Sequence, residues 1–213
     1  MKGASPSSST SGRKAQAKRN DERILDAARK VFLANPQAPV SAVAAEAGVG
    51  ISALYLRYRR KEDLLRRLCS DGLQRYIAEA ETALSDRGDV WTAYCSFMRR
   101  IVEADTHSLV LRLAGTFKPT KALYREAAKS QGLTIKLFER VKAAGAIRSD
   151  IEVVDIALIF EQLAAVQIGS PHRTAQLRQR YLALIFDALR APNNDPLPGP
   201  PPDWKDINSR WDA

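Results

Sequence analysis

The sequence predicts an all-α protein of about nine helices, in which a small N-terminal helical module is joined by one long helix to a larger helical domain. Three observations predict it. Apolar residues recur at helical spacing along most of the 213 residues. No stretch sustains the alternation of period two that marks a strand. Residues 43–61 (V-A-A-E-A-G-V-G-I-S-A-L-Y-L-R-Y-R-R-K) read as two short helices around a glycine turn. With 45% hydrophobic residues the chain has enough apolar material for a proper core.

Residues 1–12 are low-complexity and Ser-rich, and residues 1–19 together read as a disordered basic arm. Arg13, Lys14, Lys18 and Arg19 suit a solvated tail or an arm reaching a minor groove or flanking phosphates. Asn20 or Asp21 can cap a first helix running to about residue 35, with Ile24, Leu25, Ala28, Val31 and Phe32 on one face. Pro36 ends it and Pro39 shapes the following loop.

Val43, Ala44 and Ala47 give the second helix its apolar stripe, and Gly48 supplies the positive φ of a helix C-terminus. Ile51, Leu54, Tyr55 and Tyr58 share one face of the third helix; Ser52, Ala53, Leu56, Arg57 and Arg60 share the other. This is the layout of a helix-turn-helix whose second helix lies in a DNA major groove. Two such short helices cannot hold a core alone, so the first helix must cover them.

Lys61, Glu62 and Asp63 open a long fourth helix, which the Arg87-Gly88-Asp89 stretch breaks. Asp89 caps a fifth helix, a short sixth covers residues 108–114, and Pro119 or Thr120 starts a seventh that Gly145 stops. Residues 153–169 are nearly all apolar and predict a helix buried on more than one side. A last helix over residues 174–190 carries Leu177, Tyr181, Leu184, Ile185, Ala188 and Leu189. The Pro-rich tail, residues 192–213, reads as an extended linker. Trp204, Ile207 and Trp211 leave room there for a further amphipathic turn or two.

The net charge of +9 favours a polyanionic partner, nucleic acid or an anionic membrane surface. The excess is concentrated before residue 31, beside the helix-turn-helix. No apolar run reaches transmembrane length, and the N-terminus lacks the apolar core of a secretory signal. The expected setting is therefore the cytoplasm, with Cys69 and Cys95 as thiols and no membrane partner. No phosphate loop, nucleophile elbow or H-E-x-x-H occurs. Neither an enzyme nor a cofactor is expected, and two His with two Cys make a poor metal set.

The pattern L-Y-x-R-Y-x-x-K-E-x-L-L at residues 54–65, after A-x-x-x-G at residues 44–48, resembles the TetR family of one-component transcriptional repressors. The resemblance spans residues 20–36, the helix-turn-helix and the start of the long helix, and it fits the helical remainder. It implies a DNA-binding domain at residues 20–66 and an effector-binding and dimerisation domain at residues 67–191. Departures from the family pattern are Pro39 in place of a capping Thr, with Ser41 nearby as a stand-in, Gly50 for Ser, Ala53 for Thr, and Arg59-Arg60 for Pro-Ser. The implied partners are double-stranded DNA with a palindromic operator, a second copy of the chain, and a small effector. Ser52, Ala53, Leu56 and Arg57 are the expected base readers, and Ser41, Gly50, Tyr55 and Lys61 the expected phosphate contacts. Aromatic and polar groups within the helical pattern nominate Trp91, Tyr94, Gln131, Thr134 and Phe160 for a largely apolar effector. The rival readings are a DNA-binding regulator without a small-molecule effector, and a helical lipid-binding module or enzyme.

Overall fold

The computed structural model describes residues 8–113, 115–192 and 195–208. Ten α-helices are present among them: α1 (Ser8–Ala34), α2 (Val40–Ala47), α3 (Ile51–Arg57), α4 (Lys61–Ser85), α5 (Val90–Glu103), α6 (Thr106–Leu113), α7 (Lys121–Ala143), α8 (Val153–Ala165), α9 (Pro171–Leu189) and α10 (Trp204–Asn208). The chain forms two compact units, residues 1–68 and 69–213.

The first unit corrects the reading of residues 1–19 as a disordered arm, because α1 already begins at Ser8. Ala15, Gln16, Ala17, Lys18 and Arg19 are strong helix formers and carry the helix upstream of Asn20. Arg19 donates to Gln16 at 2.7 Å and Gln16 to Asn20 at 3.1 Å. Such exposed pairs add a few tenths of a kcal/mol each, about 0.2–0.5. Residues 1–7 lie outside the described residues. The core of the unit is built from Ile24, Leu25, Ala28 and Phe32 of α1, Val40, Val43, Ala44 and Ala47 of α2, Leu54 of α3, and Leu64, Leu65 and Leu68 of α4.

Gly48 ends α2 at φ 61°, ψ 40°. Its N–H donates to Ala45 O at 3.1 Å, and the Val49 N–H reaches Ala44 O at 3.0 Å. The chain bends by 111° between α2 and α3 there. Arg23 Nη2 donates to Ala47 O at 2.6 Å, so a charged donor from α1 satisfies a carbonyl that the end of α2 leaves open.

In the second unit one cluster fills the interior. It includes Tyr76 and Ala80 of α4, Trp91, Tyr94, Phe97 and Met98 of α5, Leu137 and Phe138 of α7, Ile156, Phe160 and Leu163 of α8, and Leu182 and Phe186 of α9. The caps are local. Asp89 accepts from Thr92 N–H and Thr120 from Leu123 N–H, while Ser170 accepts from Arg173 N–H and starts α9 at Pro171 rather than at residue 174. Arg140 closes the C-terminus of α4, donating to the carbonyls of Ala83, Leu84 and Asp86 at 3.1, 3.0 and 2.6 Å.

α8 stops at Ala165, short of residue 169. The carbonyls left open there are met by Arg178, 5% exposed, which donates to Ala164 O at 2.8 Å and Val166 O at 3.0 Å and pairs with Asp105 at 2.6 Å. On α9 the buried face is Arg178, Leu182, Phe186 and Leu189. Of the apolar residues read along this helix, Leu189 is buried, Leu177 and Ile185 are half-buried, and Tyr181 and Leu184 are 45% and 58% exposed. The tail is tied down at its start. Arg148, itself forked onto Asp150, donates to Asp195 O at 2.7 Å, and Leu197 N–H donates to Asp150 at 2.9 Å. No single helix among the described residues is long and apolar enough to cross a membrane. No cluster of three or more metal-ligating side chains occurs among them.

Candidate nucleic-acid interface

α3 is short, and of its seven residues only Leu54 is buried. Ile51, 39% exposed, and Tyr55, 47% exposed, share the face of Leu54 but remain open to solvent, as a phosphate contact at Tyr55 requires. A three-helix unit this small covers only Leu54 and, just past the helix, Tyr58. Ser52, Ala53, Leu56 and Arg57 all face solvent, Leu56 to 87%. An exposed leucine on a helix with an arginine one residue on is poor design for solubility and good design for a groove, where an apolar tip can meet a thymine methyl. Beside this face an open cleft of about 240 Å³ is lined by Asn20, Ile24, Val49, Ala53, Leu56 and Arg57.

Arg57 is not a loose cation. Its Nε donates to Asp21 Oδ1 at 2.5 Å, and the Tyr58 hydroxyl donates to the same oxygen at 2.5 Å. The Arg57 hydrogen bond holds the Asp21 carboxyl below the usual carboxylate range, with Tyr58 adding to it against the opposing effect of burial. Burial and the adjacent carboxylate push the Tyr58 phenol up, and the Asp21 bond raises Arg57 further. Asp21 was visible in the sequence only as a helix cap; its partners lie 36 and 37 positions away.

The expected phosphate contacts fare differently. Ser41 is exposed in the first turn of α2, whose N-cap Pro39 makes no side-chain cap bond. Gly50 starts α3, again with no side-chain cap, and open space lies where its Cβ would be. Lys61 departs from the expectation. Its Nζ donates to Pro36 O at 3.0 Å and Ala38 O at 2.9 Å and sits 5.1 Å from the centre of the Phe32 ring. In this structure its charge closes the α1–α2 loop. Arg59 and Arg60, just before it, are exposed.

The expected effector residues occupy the second unit. Trp91, Tyr94 and Phe160 are buried; Gln131 and Thr134 are half-buried. Trp91 and Tyr94 lie 6.4 Å apart between ring centres. Thr134 Oγ1 is 2.7 Å from the Tyr76 hydroxyl, so it is committed to α4. The five are not gathered around one cavity. A water-sized cavity of about 10 Å³ is lined by Ile101, Val102, Asp105, His107, Phe160, Leu163, Ala164 and Arg178, and of the five only Phe160 reaches it. His107 stacks on Phe160 at 4.7 Å between ring centres. Burial pushes its imidazole down to about 4. Its Nδ1 and the Tyr94 hydroxyl are buried without a hydrogen-bond partner among the described residues.

A helix-turn-helix with an apolar and cationic outer face, followed by a helical second unit, defines a DNA-binding transcriptional regulator. Residues 24–68 match the sequence profile of bacterial regulatory proteins of the tetR family, and residues 88–191 that of SbtR-like transcriptional regulator C-terminal domains. The chain belongs to the TetR family of transcriptional regulators. Among solved structures it is similar to a TetR regulator from Mycobacterium vanbaalenii (26% identity, 84% of this chain and 99% of that one, TM-score 0.58). It is also similar to a TetR transcriptional regulator from Streptomyces coelicolor (25% identity, 81% and 99%, TM-score 0.58). The TetR-like regulator LfrR from Mycobacterium smegmatis, solved in complex with proflavine, shares the fold at 24% identity over 79% of this chain and 96% of that one, with a TM-score of 0.54. A comparison with curated proteins returned no match.

Proposed function

We propose that this TetR-family regulator is a homodimeric repressor that reads a palindromic operator through α3 and leaves it when a small, largely apolar molecule binds the second unit. The carrying observation is the outer face of α3, where every residue but Leu54 is exposed. Arg57 is the strong hydrogen-bonding reader, suited to guanine, and Leu56 and Ala53 supply apolar contact for thymine methyls. Ser52 adds a hydroxyl. Ser41, Gly50 and Tyr55 flank this face and suit phosphates. Arg59 and Arg60 supply the charge that Lys61 spends on the carbonyls of Pro36 and Ala38.

Dimerisation is supported by the exposed Tyr181 and Leu184 on α9 and the half-buried Leu158 and Ile159 on α8. Two-fold symmetry then sets two α3 helices about 34–36 Å apart, or a multiple of that. Effector binding is supported by the aromatic interior, which holds Trp91, Tyr94 and Phe160 with two polar atoms, Tyr94 Oη and His107 Nδ1, that have no hydrogen-bond partner among the described residues. An apolar ligand with one or two hydrogen-bonding groups matches that chemistry. α4 belongs to both units in sequence, so a ligand that favours a displaced α4 would shift the population toward a state that does not fit DNA.

The test is binding of the purified protein to a duplex selected from a randomised library, followed by anisotropy with Arg57→Ala. Removing the guanine contact should lower affinity by about 1–3 kcal/mol and relax one base position. Unchanged sequence preference would refute the assignment of α3 as the reading face.

A further inference from the structure

Arginine on a recognition helix can go two ways. It can reach a base edge, or swing to a phosphate that is present at every site and carries no sequence information. A flexible arginine does both. What decides between them in this chain is a carboxylate from a different helix.

Asp21 lies on α1 with its side chain 15% exposed, and Arg57 is the last residue of α3 with its side chain 41% exposed. Asp21 Oδ1 takes the single Nε–H of Arg57 at 2.5 Å. The four N–H groups on Nη1 and Nη2 are not part of that bond, and they are the set that forks onto the O6 and N7 of guanine. The same carboxylate oxygen accepts the Tyr58 hydroxyl at 2.5 Å. Tyr58, 7% exposed, is the residue that caps the C-terminus of α3. One carboxylate therefore fixes both the arginine side chain and the end of the helix that carries it. Phosphate attraction is also countered at this point, because the guanidinium charge is already paired.

The geometry points to Asp21 as a specificity-determining positioning residue: it holds Arg57 in the orientation that reads a base and keeps it from swinging to the DNA backbone. The inference rests on the reading that α3 meets the bases. Asp21 acts through Arg57 and through Tyr58 at the end of α3, not by reading a base itself.

The experiment uses the full-length protein and a duplex selected from a randomised library. Affinities are measured by anisotropy for the selected site, for its single-base variants and for a scrambled duplex. The position read by Arg57 is the one whose base preference Arg57→Ala abolishes. At that position Asp21→Ala should lose most of the discrimination, out of about 5- to 150-fold for a good bidentate contact. Affinity for the scrambled duplex should be unchanged or higher, since a free arginine meets phosphate. In the Arg57→Ala background, Asp21→Ala should change discrimination no further. Asp21→Glu keeps the charge but displaces the carboxylate by one methylene, and it too should lower discrimination; it decides the matter if the alanine variant does not fold. Full discrimination in Asp21→Ala or Asp21→Glu, or an equal loss at positions whose preference Arg57→Ala leaves intact, would overturn the inference while leaving α3 as the reader. No effect of Arg57→Ala would overturn both.

Discussion

Gly48→Ala tests whether the corner of the helix-turn-helix is as tightly determined as its geometry implies. Two effects add. Gly48 sits at φ 61°, where a residue with a Cβ is disfavoured by about 1–2 kcal/mol. A Cβ there would also stand 2.9 Å from Arg23 Nη2, closer than side chains tolerate. That nitrogen donates at 2.6 Å to Ala47 O, so relieving the contact means lengthening a hydrogen bond from a charged donor. Such bonds contribute about 1.5–3 kcal/mol. The flexible end of an arginine can re-aim at partial loss, so roughly half of that is at stake, and the total comes to about 2–4 kcal/mol. Urea unfolding followed by circular dichroism measures it. In an Arg23→Ala background the second effect is gone, and Gly48→Ala should then cost only the backbone term, about 1–2 kcal/mol. Equal costs in the two backgrounds would show that Arg23 does not crowd the corner. A cost below about 0.5 kcal/mol in the parent would refute the strain argument itself.

Leu184→Asp, on an exposed position of α9, should leave the second unit folded and yield monomers in sedimentation velocity. Leu163→Asp, 3% exposed inside the core, should instead unfold it. Arg178→Met strips Asp105 and the carbonyls of Ala164 and Val166 of a buried cation, and should destabilise by about 3 kcal/mol or more in thermal unfolding. His107 has a folded-state value pushed down to about 4 by burial, against about 6.5 when unfolded. Its contribution is therefore full above pH 6.5 and lost as pH falls from 6.5 to 4, by up to about 1.4 kcal/mol per pH unit. His107→Gln should flatten stability against pH over that window, and an unchanged slope would show that the imidazole is not buried neutral.

What was legible in the sequence was local. Gly48 announces the end of α2 because only one backbone region suits that turn. Asp89 and Thr120 announce α5 and α7 because a cap acts over three residues. The start of α1 was misplaced because Asn20 is a good cap in isolation, while the helix formers before it carry the helix past it. Ring and charge partners were not legible. Asp21 meets Arg57 and Tyr58, and Lys61 meets Pro36 and Ala38, across 23 to 37 positions, and nothing in the spacing of either partner names the other. The five residues nominated for an effector share helical faces but not a cavity, since Thr134 is drawn to Tyr76 and Phe160 to His107.

α9 shows where the periodicity argument stops. Its apolar residues form two stripes, one through Leu182, Phe186 and Leu189 and one through Leu177, Tyr181 and Leu184. Both satisfy a period of 3.6, so spacing alone makes either of them the core face. Arg178 lies on the first of them. A cation in line with Leu182 looks like the mark of a solvent face, yet Arg178 is buried because α8 ends beside it with open carbonyls and Asp105 supplies the countercharge. The first stripe packs inward with Arg178 in line, and Tyr181 and Leu184 stay outside. An apolar stripe facing solvent on a long helix is what an interface requires. The second stripe, through Tyr181 and Leu184, is therefore the face of α9 left for the interface proposed above.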